Sequence, residues 1–126
     1  MKKVICTKAA PAAVGPYSQA VGVGDLLFIS GQIGIDPGTG KFVEGGIEKQ
    51  VERVLKNIES IVKAAGVDLS SVVKTTVLLK SMDDFSAMNE VYAGFFPENP
   101  PARAAFEVGR LPLGALVEIE AVAYLG

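Results

Sequence analysis

One arginine stands in a strand-like segment where an ordinary surface arginine is not expected. Arg103 lies in Pro100 to Val108, where the other side chains are small or apolar apart from Glu107. A guanidinium offers paired donors in a fixed geometry that matches the two oxygens of a carboxylate. Arg103 is therefore interpreted as a clamp for a carboxylate-bearing ligand, as the partner of Glu107, Glu118 or Glu120 in an internal salt bridge, or as a plain rim position. Residue chemistry leaves these alternatives open.

Two glutamates alternate with apolar residues near the end of the chain. Glu118 and Glu120 lie in Val117 to Ala121, so a strand there places both carboxylates on one face. A partly buried carboxylate with a raised pKa can orient or deprotonate a water molecule, a role that histidine often has. A solvated polar face of an amphipathic strand explains the same alternation.

Two further segments mix small polar groups with glycine. Ser30, Gly31 and Gln32 interrupt an apolar run, and Gly31 either allows a ligand or backbone to approach closely or marks a β-bulge or tight packing site. Tyr17 lies in a proline- and glycine-rich loop. Its ring could reach the rim of a pocket or anchor the loop by packing.

The composition excludes several kinds of chemistry and partner. The 126 residues include no histidine, so a Ser-His or Cys-His nucleophile cannot be built, and no carboxylate spacing suggests a metal site. The net charge is -2 with no basic run, which argues against nucleic acid as a partner. Cys6 is the only cysteine, no stretch has the apolar length of a membrane span, and no signal peptide is apparent. We expect one cytoplasmic domain over residues 1–126 without a metal or cofactor.

Hydrophobic periodicity predicts two helices. Apolar residues from Ile47 to Ala65 recur at steps of three and four with charged residues opposite, and Gly66 supplies a stop. A capping box beginning at Ser81 starts a second helix that is predicted to run to about Phe96, where prolines follow.

Alternation and turn residues predict the strands. Ser18 to Val23 is interpreted as a short edge strand, Leu26 to Ser30 as a central strand, and Asp36 to Gly40 as a turn. Val72 to Lys80 is predicted to form a strand, with Val73, Thr75, Val77 and Leu79 on one of its faces. The last two strands, Ala102 to Val108 and Leu116 to Tyr124, are expected to pair antiparallel. Two helices cover one face of such a sheet, so we expect a symmetric oligomer to cover the other.

Five segments in this order resemble the Rid/YjgF family, specifically its RidA subgroup, over essentially the whole chain. They are Gly15-Pro16-Tyr17-Ser18-Gln19-Ala20, Ile29-Ser30-Gly31-Gln32-Ile33, Val73-Lys74-Thr75-Thr76-Val77, Pro101-Ala102-Arg103 and Val117-Glu118-Ile119-Glu120-Ala121. The resemblance implies an α+β fold of the chorismate-mutase-like type, in which a mixed sheet carries two helices on one face. It also implies a homotrimer whose sheets form a central barrel, with a ligand cleft at each subunit interface.

The same resemblance implies an activity and a set of residues. The activity is cofactor-independent hydrolysis of reactive 2-imino or enamine acids, such as 2-iminopropanoate and 2-iminobutanoate, to 2-oxo acids and ammonia. Arg103 then binds the carboxylate of the substrate and Glu118 directs the attacking water. The remaining cleft positions implied by the resemblance are Tyr17, Ser30, Gly31 and Asn89. One departure is Ala105, where many relatives carry cysteine.

Two other functions are compatible with parts of this pattern. A non-enzymatic trimeric module that binds a small carboxylate needs Arg103 but not Glu118. A ribonuclease or translation inhibitor, a role attached to some relatives, has little support in a chain without histidine or a basic patch.

Overall fold

A computed structural model describes residues 1–126 as an α+β fold. The helices are α1 (Gly46–Ala64) and α2 (Phe85–Phe95), and the strands are β1 (Lys3–Ile5), β2 (Ala20–Val23), β3 (Leu26–Gln32), β4 (Ile35–Asp36), β5 (Lys41–Phe42), β6 (Val72–Leu79), β7 (Ala102–Glu107) and β8 (Val117–Tyr124). Six strands form a mixed sheet in the order β1-β2-β3-β8-β6-β7, while β4 and β5 form a separate hairpin across the predicted turn. The predicted class, with a mixed sheet and two helices, is confirmed.

The pairing of the last two strands differs from the expectation. β7 and β8 do not pair, because β6 lies between them, parallel to β7 and antiparallel to β8. The segment between β7 and β8 is no tight hairpin turn: it contains a 3₁₀ turn at Pro112–Gly114 and lets the chain pass β6. β7 is thus an edge strand. The prediction of an edge strand at Ser18 to Val23 is also wrong in its place in the sheet, since β2 pairs with β3 on one side and with β1 on the other, and β1 forms that edge.

Helix α1 forms as its periodicity predicts. Val51, Val54 and Leu55 are fully buried on the side that faces the sheet, and the charged residues lie outside. The chain leaves the helix through Gly66, whose φ of 92° is a left-handed conformation that favours glycine. The predicted glycine stop is confirmed.

Both helices pack on the inner face of the sheet and form one apolar core with it. On β6 the buried residues are Val72, Thr75, Val77 and Leu79. Val73, which was expected on this face, is instead exposed, because the register shifts between Val72 and Lys74.

Large apolar side chains remain exposed on the opposite, outer face of the sheet. Phe28 of β3, Phe106 of β7 and Tyr124 of β8 are 46%, 48% and 51% exposed. Apolar surface contributed by three strands is typical of a face that packs against another molecule. Neither helix has the length and apolar composition that crossing a membrane requires.

Candidate active site

Helix α2 holds the Arg103 side chain by several contacts. Nη1 of Arg103 donates a hydrogen bond of 2.7 Å to Oδ1 of Asn89 and lies 4.0 Å from Sδ of Met88. The guanidinium carbon is 4.9 Å from the centre of the Tyr92 ring and 5.6 Å from that of Phe85. The cation therefore rests over two aromatic rings, within the distance at which a π face attracts it.

No carboxylate of the chain neutralises Arg103. All three salt bridges join lysines to glutamates on α1. Glu107, a candidate partner in the sequence, instead accepts a hydrogen bond of 2.9 Å from the backbone N–H of Met82. The internal salt bridge is thus excluded as an explanation of Arg103. Its Nε and Nη2 groups have no acceptor within the chain and can donate to a carboxylate ligand.

Glu118 lies beside Gly31 on the neighbouring strand. A Cβ added to Gly31 would come within 2.9 Å of Cδ of Glu118, so any other residue at position 31 would require this carboxylate to move. The pairing of β3 with β8 also shifts register between Ile29 and Gln32. Gly31 therefore occupies a bulge and a tight packing site, which was one of the two interpretations of the sequence.

The environment of Glu118 changes its acidity. The side chain of Glu118 is half-buried, and this burial raises its pKa. The negative charge of Glu120 raises the pKa of Glu118 further. The carboxyl group consequently accepts a proton more readily than an exposed glutamate does. This property suits a group that exchanges protons with water or substrate.

Ser30 ties the same bulge to the loop that carries Tyr17. Its Oγ donates a hydrogen bond of 2.6 Å to the carbonyl oxygen of Ser18, and its N–H donates to the carbonyl oxygen of Gln19. Tyr17 is 49% exposed and lines a cavity of about 550 Å³ with Cys6 and neighbouring residues. Tyr17 therefore lies at a pocket rim, although that cavity does not include Arg103.

Within one chain, the two principal candidates lie on opposite faces of the sheet. Arg103 is in register with Thr75, which is buried under the helices. Glu118 is in register with Leu78, whose side chain points to the outer face because it lies an odd number of residues from Thr75. The chain thus has two separate clusters of candidate residues. Arg103 and Asn89 form one, and Glu118, Gly31 and Ser30 form the other.

Sequence reasoning missed the aromatic partners of Arg103. Phe85 and Tyr92 have the spacing of residues that pack a helix against a core, which gives no sign of an arginine partner, and Asn89 was predicted only through the family resemblance. The available signal was Asn89 itself, a polar residue within an apolar stripe that also contains Met88 and Tyr92.

Comparison with known proteins agrees with this architecture. The family model described as Endoribonuclease L-PSP matches residues 7–125. The 2-iminobutanoate/2-iminopropanoate deaminase of Mus musculus is 53% identical over 126 residues, covering 100% of this chain and 93% of that protein. The crystal structure of RidA from the Antarctic bacterium Psychrobacter sp. PAMC 21119 has 49% identity and a TM-score of 0.94, covering 97% of this chain and 98% of the other. E. coli TdcF, solved with bound serine, has 40% identity and a TM-score of 0.93, with coverage of 97% and 98%.

These similarities identify an α+β protein of the type that the Psychrobacter and E. coli structures share. The chain belongs to the Endoribonuclease L-PSP family, which is the Rid/YjgF family.

Proposed function

We propose that the protein hydrolyses reactive 2-imino and enamine acids, among them 2-iminopropanoate and 2-iminobutanoate, to 2-oxo acids and ammonia. The observation that carries the proposal is the Arg103 guanidinium, which is held by Asn89 and has donors without an acceptor in the chain. The relative from Mus musculus, named as such a deaminase, supports this substrate class. The serine bound to E. coli TdcF supports a site for a small amino-acid-like molecule.

The hydrolysis needs a substrate whose carboxylate is held in position and a water molecule directed at its C=N carbon. Arg103 binds the carboxylate of the substrate. Glu118 takes a proton from a water molecule while the oxygen of that water bonds to the C=N carbon. Glu118 returns this proton to the nitrogen, which gives a carbinolamine. The hydroxyl proton of the carbinolamine then passes to the same nitrogen, the C=O bond forms as the C–N bond breaks, and ammonia leaves the 2-oxo acid. Positioning with proton transfer contributes about 10²- to 10⁴-fold, which is adequate for a C=N carbon that is already electrophilic. No metal or cofactor takes part in this scheme.

We further propose that the working site is built between copies of the chain. In this arrangement three chains associate through their outer sheet faces as a chorismate-mutase-like trimer with a central barrel, which covers Phe28 and Phe106. Arg103 is on the edge strand β7, so it can reach the outer face of a neighbouring copy, where Glu118 lies. The residues that line each proposed cleft are Tyr17, Ser30, Gly31, Asn89, Arg103 and Glu118. Residues 1–126 form one domain in this proposal, and the lone Cys6 favours a cytoplasmic location.

The test is the rate of ammonia release from 2-aminoacrylate generated in situ, with trapping of the remaining imine by semicarbazide as a second readout. We expect the wild-type protein to accelerate release, and Arg103→Ala, assembled as the wild type, to have no effect. Failure of the wild-type protein to accelerate hydrolysis of both short and longer imino acids contradicts the proposal and leaves the carboxylate-binding module as the function.

Glu118 separates catalysis from binding. Hydrolysis requires the carboxylate, whereas a binding module requires only the arginine clamp. Loss of hydrolysis in Glu118→Gln with retained affinity for a 2-oxo acid supports the enzyme. Equal loss of both properties contradicts the assigned role of Glu118. Cleavage of RNA by the wild-type protein, unaffected by Arg103→Ala, would instead support a ribonuclease.

A further inference from the structure

One stripe of helix α2 forms the surface on which the Arg103 side chain rests. Phe85, Met88, Asn89 and Tyr92 are spaced so that they share one helical face. Tyr92 is the nearer of the two aromatic partners, with its ring centre 4.9 Å from the guanidinium carbon. The orientation of this ring therefore affects the orientation of the cation above it.

The Tyr92 ring is itself held in place on two sides. Its hydroxyl oxygen lies 2.7 Å from Oγ1 of Thr75, and both side chains are buried. The Phe96 ring packs against it with centres 4.8 Å apart and planes tilted by 41°. Thr75 is also the residue in register with Arg103 on the neighbouring strand. The tyrosine is thus anchored to the strand position beside the arginine that it supports.

Tyr92 does not compete with a ligand as an anion. Burial raises the pKa of its hydroxyl, which stays protonated at neutral pH. The aromatic ring attracts the guanidinium without neutralising its positive charge, because the ring itself carries no net charge. The positive charge of Arg103 remains available to a carboxylate.

We propose that Tyr92 is a positioning residue for the arginine clamp: its ring, anchored at Thr75, fixes the plane of the Arg103 guanidinium before a carboxylate binds. The inference rests on the proposed function, in which Arg103 binds that carboxylate. Asn89 accepts from Nη1, so the ring plane determines where the free Nε and Nη2 donors point. A guanidinium that is already oriented loses less conformational freedom on binding.

The first test does not depend on catalysis. Relaxation of the ¹⁵N-labelled Arg103 Nε–H group in the intact assembled protein reports the order of its side chain. We expect an ordered, ring-current-shifted signal in the wild type and a more mobile, less shifted one in Tyr92→Leu, in which the Phe85 ring remains. Phe95→Leu is the matched control, because it removes an aromatic ring from the same helix without touching Arg103. Equal order of Arg103 in wild type and Tyr92→Leu overturns the inference, whatever the protein catalyses.

The second test asks whether Tyr92 acts through Arg103. We expect Tyr92→Leu to lower kcat/KM for 2-iminopropanoate, mainly through KM, and to lower the affinity for pyruvate, each by about 2- to 30-fold, the range of a cation–π contact. In the Arg103→Ala background the same change should alter the residual affinity for pyruvate by less than about 2-fold. A similar loss in both backgrounds indicates general damage to the fold and overturns the inference.

Milder variants cover the case in which Tyr92→Leu does not fold. Tyr92→Phe and Thr75→Val each remove the hydroxyl pair and keep the aromatic ring. Both should lower the order of the Arg103 Nε–H group in the same direction. Unchanged order in both variants overturns the anchoring role. Inactivity of the wild type with an ordered Arg103 that loosens in these variants refutes the proposed function but not the positioning.

Discussion

Replacing Arg103 by lysine tests the carboxylate clamp while keeping the positive charge. Lysine presents a compact ammonium and cannot offer two parallel N–H donors to a carboxylate. It also lacks the guanidinium carbon that lies 4.9 Å from the centre of the Tyr92 ring and the Nη1 group that donates the 2.7 Å hydrogen bond to Asn89. The variant therefore isolates the shape of the guanidinium from its charge.

The magnitude follows from the loss of one hydrogen bond to a charged group. Such a bond contributes about 1.5 to 3 kcal/mol. At about 1.4 kcal/mol for each tenfold change, Arg103→Lys should lower kcat/KM by about 10- to 150-fold. Arg103→Ala, which also removes the charge, should lose more. Initial rates of ammonia release over a range of 2-iminopropanoate concentrations measure both.

Arg53 supplies a matched control for this change. Its Nε donates a hydrogen bond of 3.0 Å to Oδ1 of Asn57, the same kind of contact that Arg103 makes with Asn89. Arg53→Lys should leave kcat/KM within about 2-fold of wild type, because Arg53 bonds to Asn57 on the same helix and not to a residue of the proposed cleft. The clamp is refuted if Arg103→Lys retains wild-type kcat/KM, or if Arg53→Lys shows an equal loss in a folded protein.

Four further predictions concern the glutamate side of the site. Glu118→Gln should lower kcat by about 10²- to 10⁴-fold, with the calorimetric affinity for pyruvate retained; an unchanged kcat contradicts its role. Because its pKa is raised, Glu118 ionises at a higher pH than an ordinary glutamate does. If activity needs the ionised carboxylate, kcat/KM should increase with pH over a correspondingly higher range. Glu120→Gln removes a negative charge that contributes to this shift, and the acid limb of the kcat/KM profile should move to lower pH; an unmoved limb contradicts the assignment. Gly31→Ala should displace the Glu118 side chain, because the new Cβ would lie 2.9 Å from Cδ. The fall in kcat should then be larger than the loss of stability, measured as the thermal unfolding midpoint, can explain.

Local patterns predicted the elements better than their pairing. The spacing of apolar residues in α1 and the glycine that follows it are properties of neighbouring residues, so the sequence contained both. The separation of β7 from β8 by β6 depends on contacts between distant segments, which alternation within each strand does not encode. The bulge that exposes Val73 has the same origin, because a register shift involves two strands.

The candidate site was predictable only in part, for a related reason. Arg103 was conspicuous because a guanidinium in a largely small and apolar strand needs a partner. Phe85 and Tyr92 were not recognised, since a stripe that packs on an arginine has the same spacing as one that packs on leucine. The opposite placement of Arg103 and Glu118 could not be read from either segment alone, because it follows from the registers of both with β6.

Subunit mixing tests the central claim most directly, because it asks whether Arg103 and Glu118 of different copies form one hydrolytic site. Arg103→Ala and Glu118→Ala proteins, each inactive alone, are dissociated together, reassembled in equal amounts and assayed for ammonia release. If each site takes the arginine from one copy and the glutamate from another, about a quarter of the sites contain both, and about a quarter of wild-type activity should return. No recovery from proteins that have demonstrably exchanged subunits contradicts a hydrolytic site shared between copies.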